Sequence, residues 1–334
     1  MQIASPEKIA IERKLSEIFT PKFGKQGQIL INLNNEPDTP VEALVRRYAH
    51  YTSAEAALNI INNRYIWMRH TSVMADFREV EHGIEMQDDF FSTNDNLHRF
   101  IDAVRRCKPS AATYAFEHFN KNRGDIRNSI YVTSFSEHGK DENEHGRLSM
   151  WRAFGSTRSR VAIVFAFPWN TDVTEKLGIA FRPVIYADRS EVYANLNEVI
   201  NNIEQNQEWL RDRDDAQLKS WIFTMLVSGV TCFKHKGFKE ELEWRAVYIP
   251  KLGTSNLIEP CCHLVRGIPQ KVFKLPLDVG DSLIFTKIVE RVIIGPTSYP
   301  FVMKEVFADA LSKAGVPDSE NKVWASEIPL RDQS

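Results

Sequence analysis

Two periodicities of apolar residues divide this chain. Over residues 5–19 (PEKIAIERKLSEIFT), Ile9, Ile11, Leu15, Ile18 and Phe19 recur near helical spacing, which predicts a helix. Pro21 to Pro40 carries Pro, Gly and Asn and reads as a loop. Tyr48–Thr52 then predicts a short strand, Ser53 is placed to cap a helix over Ala54–Asn63, and Arg64–Thr71 predicts a second strand. Further strands are predicted at Ser129–Ser136, Val161–Phe167, Pro183–Ala187, Glu240–Pro250 and within Leu283–Gly295, with helices at Leu148–Gly155, Glu191–Val230 and Val302–Gly315. Strands and helices mix without a regular βαβ rhythm, so α+β is favoured over a doubly wound sheet. No linker divides the chain, which predicts an N-terminal helix and loop over 1–40, one domain over 41–315 with helical insertions near 76–127 and 191–230, and a tail over 316–334.

Composition narrows the chemistry. The 334 residues are 43% hydrophobic and 26% charged, with a formal charge of −2, as in a globular protein with ample chain to bury a core. Gly is scarce, 15 residues, and neither G-x-G-x-x-G nor G-x-x-x-x-G-K-[ST] occurs, so a Gly-rich phosphate cradle has no support. Cys107, Cys232, Cys261 and Cys262 form no C-x-x-C, which predicts reduced thiols. A zinc site from Cys261, Cys262 and His263 would crowd three ligands onto consecutive residues. No apolar run reaches ~18 residues and the N-terminus lacks a signal-like core, so no membrane span and a cytoplasmic location are expected. Asp76–Asp95 is acidic and Arg99–Arg127 basic, with Arg99, Arg105, Arg106, Lys108, Lys121, Arg123 and Arg127, followed by Arg147, Arg152, Arg158 and Arg160. Such a run either solubilises helix faces or tracks a phosphate backbone.

Four segments hold candidate chemistry. Tyr48–Ser53 (YAHYTS) offers an imidazole, hydroxyls and a helix start. Thr133-Ser134-Phe135-Ser136 offers hydroxyls and an aromatic at a strand end, and Met150-Trp151-Arg152 a ring and a guanidinium able to stack on a base. In Glu241-Leu242-Glu243-Trp244-Arg245, strand alternation sets Glu241, Glu243 and Arg245 on one face and Leu242, Trp244 and Ala246 on the other. The two carboxylates then lie about 7 Å apart, facing a cleft or solvent. The plainer readings are a structural strand histidine, half-buried β-formers, a core tryptophan and a charged outer face.

Together these segments resemble the DUF2971 family. The resemblance rests on Tyr48–Ser53, Ile66-Trp67, Val132–Glu137, Met150–Gly155, Pro183–Tyr186, Phe238–Arg245 and Val292–Gly295. It departs at Met74–Glu79, where the family has an Asn-Asp-Pro-x-Glu-like turn. More remotely, the order of His-x-Thr-Ser strand, helix, aromatic strand and late Glu-x-Glu is similar to the ADP-ribosyltransferase fold. That likeness implies a split β-sheet core holding NAD as substrate, and an enzyme acting as a bacterial toxin or phage-defence effector on RNA, DNA or protein, with a possible antitoxin partner. Breaking the nicotinamide–ribose bond develops an oxocarbenium-like sugar, which a fixed carboxylate stabilises. The resemblance assigns that role to Glu243, acceptor activation to Glu241 and sugar or amide binding to His50. Tyr51, Thr52, Ser53, Ser134, Phe135, Trp151 and Arg152 would position the dinucleotide, and Glu240 stays open as a third acid. The alternatives are a non-enzymatic nucleotide- or nucleic-acid-binding module and a metal-dependent nuclease or hydrolase.

Overall fold

A computed structural model describes residues 6–21, 46–73, 77–153, 159–167, 171–251, 255–265 and 267–329. The expected loop over 22–40, the divergent turn at 74–76, the residues 154–158 that include Arg158, and the last five residues lie outside them. The strands are β1 (Arg46–Ser53), β2 (Tyr65–His70), β3 (Tyr131–Glu137), β4 (Arg160–Phe167), β5 (Ala180–Pro183), β6 (Ile185–Tyr186), β7 (Phe233–Lys234), β8 (Glu243–Tyr248), β9 (Glu259–Val265), β10 (Ile268–Pro276), β11 (Val289–Ile294) and β12 (Val323–Ala325). The principal helices are α1 (Pro6–Phe19), α2 (Ala54–Asn63), α3 (Phe77–Ser92), α4 (Asn94–Cys107), α5 (Tyr114–Asn128), α6 (Leu148–Ala153), α7 (Arg189–Gln205), α8 (Asp215–Thr231) and α9 (Pro300–Lys313). The chain is therefore mixed α and β, with an open and mostly antiparallel sheet.

Sheet order runs β12-β11-β4-β1-β3-β2-β10-β9, with β8 on β3 and β5 on β8. The seam of β1 against β3 is narrow, joined only at Tyr48↔Glu137 and Ala49↔Ser136, and β2 meets β3 through no more pairs. On its other edge β1 makes eight pairs with β4. Since β8 pairs with Tyr131 through Ser136, β1 and β2 must share the opposite edge of β3, one at each end. Between them Thr133–Phe135 has no strand neighbour on that edge among the described residues.

Alternation assigns the two faces. Tyr48, Phe135, Trp244, Phe165 and Phe273 belong to one apolar cluster, capped by residues of α2 and α9. The opposite face carries two clusters. One joins Val132 and Val247 to the helical layer of α1, α3, α4, α5, α7 and α8. The other, smaller, gathers Ala49, Tyr51, Trp151, Val164 and Ile293.

Local chemistry explains the element ends. Ser53 Oγ accepts from Ala56 N at 3.2 Å and starts α2, as expected. Asp188 and Glu191 form a reciprocal capping box at α7. Gly83 and Gly229 let α3 and α8 cross closely: a Cβ on Gly83 would lie 2.7 Å from Val230 O. The acidic and basic blocks of the sequence become facing helices, for Arg123 pairs with Asp88 and Arg127 with Glu81, joining α5 to α3.

Three features differ from the sequence expectations. The strand expected from Glu240 starts only at Glu243, because Lys236–Glu241 forms a 3-10 turn and Leu242 adopts a left-handed φ of 43°. The β9–β10 hairpin has no counterpart in the sequence reading, since its apolar positions follow no clean alternation. Residues 323–325 of the expected tail pair in parallel with β11. Among the described residues all four cysteines are free, and no helix is long and apolar enough to cross a membrane.

His138, just past β3, has a fully buried side chain, and neither ring nitrogen meets a hydrogen-bond partner in the protein. Burial, then the Arg47 charge, lowers its pKa to about 4, against the opposing pull of the nearby Glu142 and Glu290 carboxylates. An unfolded imidazole protonates near 6.5, so this group's stabilising contribution is complete above that pH and is lost as pH falls towards 4. Urea unfolding across this window should show His138→Met flattening the loss. The variant should also gain on the order of 1 kcal/mol at pH 7.5, because two unsatisfied nitrogens are removed. An unchanged slope would sink this account.

Candidate functional site

Between the two apolar clusters on the helical side of the sheet runs a seam of polar groups. It lies beneath the narrow β1–β3 junction. Strand β8 puts Glu243 opposite Ser136 and Arg245 opposite Ser134, so all four share this face. Glu243 and Arg245 are 5% and 4% exposed, which corrects the expectation of an acidic face open to cleft or solvent. The helical layer and the turn before β8 enclose them. Leu242, expected on the face of Trp244, is exposed while Trp244 is buried, because the left-handed turn ends the alternation there.

Every oxygen of Glu243 is engaged. Oε1 accepts from Ser134 Oγ at 2.5 Å and Arg245 Nε at 2.8 Å; Oε2 accepts from Arg245 Nη2 at 3.1 Å and Lys234 Nζ at 3.3 Å. Lys234 also donates to Glu241 Oε2 at 2.7 Å. The two acids are thus gathered on one ammonium and not by strand parity. The Glu243 backbone N–H donates to the Tyr186 hydroxyl at 2.8 Å, fixing where β8 starts. Burial pushes the Glu243 carboxyl up, but Arg245, Lys234 and the hydrogen bonds from Arg245 and Ser134 prevail and hold it down to about 2. The group is a carboxylate at neutral pH.

A second clamp borders this one. Arg147 donates to Ser136 Oγ at 2.6 Å, Glu241 O at 2.8 Å, Glu137 O at 2.7 Å and both oxygens of Glu142 at 2.7 and 3.0 Å. Its backbone N–H donates to the Tyr51 hydroxyl at 2.7 Å. One guanidinium thereby holds the end of β3 to the turn before β8.

His50 sits on the other face of β1, with Tyr48, and reaches into the gap on the β3 edge. Its Nδ1 lies 3.0 Å from the Ser134 carbonyl oxygen. A carbonyl only accepts, so Nδ1 carries the proton and Nε2 is left as an acceptor. Burial lowers the His50 pKa and the carbonyl bond counters it only in part, so the ring is neutral. His50 and Glu243 therefore lie on opposite faces of the sheet, and Ser134 links them: its carbonyl to the imidazole, its hydroxyl to the carboxylate. Ser134 and His50 are both partly exposed.

The remaining expected residues divide. Trp151 is wholly buried, its Nε1 bonded to His145 O at 2.7 Å and its ring edge-on to Tyr51 at 4.8 Å, so it is closed to a ligand. Phe135, 2% exposed, is enclosed likewise, although His50 lies 5.6 Å from its ring. Tyr51 is buried with its hydroxyl taken by Arg147, and the Ser53 hydroxyl is taken by the α2 cap. Thr52 follows His50 on the same face and is partly exposed; Arg152 is exposed at the end of α6. Glu240 belongs to the turn and not to β8. Arg147 entered the sequence reading only as part of a basic run and Tyr186 only within the resemblance segment Pro183–Tyr186; Lys234 was not singled out, and no local signal gave any of the three its role here. Among the described residues no group of three or more His, Cys, Asp or Glu is placed to hold a metal ion.

Lys234→Met should raise the Glu243 pKa from about 2, because one of the two cations that hold it down is gone. NMR titration of labelled glutamate carboxyls would read this shift. The same variant should lose about 3 kcal/mol of stability, the low end for removing one member of a buried pair, since Arg245 stays in place. A Glu243 titration unmoved by the substitution would show that Lys234 does not control it.

Comparison with known proteins adds a family. The DUF2971 model, described as a protein of unknown function, matches residues 150–246, a stretch that includes Lys234, Glu241, Glu243 and Arg245 but neither His50 nor Ser134. No curated protein and no solved structure matches the chain. Over that stretch the chain is similar to the DUF2971 family, the family that the sequence resemblance named.

Proposed function

We propose that the protein is an NAD-dependent ADP-ribosyltransferase whose reacting site is the seam at Ser134. The observation that carries this reading is the convergence of His50, Ser134 and Glu243, far apart in sequence, on two hydrogen bonds at one partly exposed residue. The site lies where the two halves of the sheet meet through only two registers, in keeping with a split-sheet core.

In this reading the nicotinamide–ribose bond breaks with its electron pair leaving on the nicotinamide nitrogen, and positive charge develops on the ribose. Glu243, ionised and fixed by two cations, stabilises that charge, and Ser134 holds the carboxylate in place. His50 Nε2 accepts from a ribose hydroxyl or the nicotinamide amide. Glu241, at the solvent edge of the seam, takes the proton of the acceptor that attacks the ribose. Arg123 and Arg127 spend their charge on Asp88 and Glu81, which favours a protein acceptor over a phosphate backbone. A toxin or phage-defence role with a neutralising partner follows from the likeness to the ADP-ribosyltransferase fold.

A second reading is favoured by the saturation of Glu243: a buried ion cluster that orders β8 in a non-enzymatic nucleotide-binding module. Nicotinamide release from NAD by the purified protein, with and without cell extract, separates the two. A transferase should lose about a hundredfold or more in turnover with Glu243→Gln. Ser134→Ala, at a partly exposed position, should lower turnover with little change in thermal unfolding. A folded wild-type protein that consumes no NAD with any extract would end the transferase reading. With labelled NAD, the acceptor label should be removed by protease and not by nuclease.

A further inference from the structure

The larger half of the sheet ends at β9, and this strand is built unlike the other terminal strands. It runs seven residues in unbroken register with β10, from Glu259↔Lys274 to Val265↔Ile268. Its outer edge carries no strand among the described residues. Terminal β12 has three residues, and β5 has four and ends in Pro183. β9 holds none of the usual protections in its middle, neither lysine, bulge nor proline; Pro260 stands near its start. Leu264 is 72% exposed and Ile268, across the hairpin turn, 57% exposed. An unguarded edge beside exposed apolar side chains favours addition of another strand.

We propose that the added strand is β9 of a second copy, antiparallel across a two-fold axis at Cys262. The argument is self-complementarity. Only one antiparallel register overlaps all seven residues, and it sets Cys262 against the partner's Cys262. On one face it sets Pro260 against the partner's Leu264, and each leucine gains an apolar neighbour. On the other face it sets Cys261 against the partner's His263, and Glu259 against the partner's Val265. No like charges meet, and the one carboxylate in the strand stays at the rim. An isologous contact repeats each favourable pair twice, and the ten-stranded sheet continues into that of the partner. Facing residues in such a ladder have Cα atoms roughly 4.5–5.5 Å apart, so the exposed Cys262 thiols come within crosslinking reach.

Sedimentation of the full chain from about 1 to 100 μM in reducing buffer should show a concentration-dependent dimer. Cys262→Lys sets two ammonium groups across the axis and should weaken the dimer at least tenfold while leaving thermal unfolding of the monomer unchanged. A short bis-maleimide should link two chains in the wild type and in Cys261→Ser, and fail in Cys262→Ser. A wild type that stays monomeric throughout, as it would if the edge served another protein's strand, overturns the proposal. So does a dimer indifferent to Cys262→Lys, or one linked through Cys261.

Discussion

The arrangement around β8 depends on two cations buried against one carboxylate. Lys234 and Arg245 converge on Glu243 in a region almost without water, where an unpaired charge would be costly and a paired one directs its partners. The pairing explains why β8 can be buried on both faces although it alternates charged and apolar residues. It also explains why the helical layer and the Trp151 cluster do not fuse into one core. A polar band separates them, and that band runs under the junction of the two half-sheets.

Much of this was legible in the sequence, and the limits were physical. The strand–helix–strand unit at 46–70 follows from local signals, since alternation, a serine cap and a second alternating run act within a few residues of each other. Ser134, His50 and Glu243 stood out by residue type, and the structure links them through Ser134, with His50 and Glu243 on opposite faces of the sheet. Their relation was not readable, because it depends on which edge of β3 each neighbour takes. Parity placed Glu241 on β8, and a single left-handed residue defeated it; nothing in Glu-Leu-Glu signals such a turn, for leucine is a poor residue for it. Trp151 beside Arg152 suggested a stacking surface, but Gly146 and Gly295 pack against the indole and remove it from any cleft. The ion pairs between α3 and α5 were hidden for another reason: the acidic and basic blocks were visible, but their mutual neutralisation required knowing that the helices lie side by side.

The functional reading and the fold constrain each other. A carboxylate held ionised by two permanent cations has little freedom to take up a proton, which suits a charge-stabilising role better than that of a general acid. Glu241 has a different position: its carboxylate takes Lys234 at 2.7 Å and its side chain is 19% exposed, against 5% for Glu243. The two acids of the Glu-x-Glu segment are therefore unequal, although the sequence presents them alike.

Leu242 fixes more than the start of a strand. Its carbonyl accepts from Glu137 N at 2.9 Å, and its twisted backbone sets the phase in which every later residue of β8 enters the sheet. A slip of one position would drive the Glu243 carboxylate among Tyr48, Phe135 and their aromatic neighbours, and would deliver the Trp244 indole into the band of charges. Lengthening or shortening the stretch from 235 to 242 by one residue therefore inverts the polarity of both faces at once. The number of residues in this stretch is thus a constraint separate from their identities.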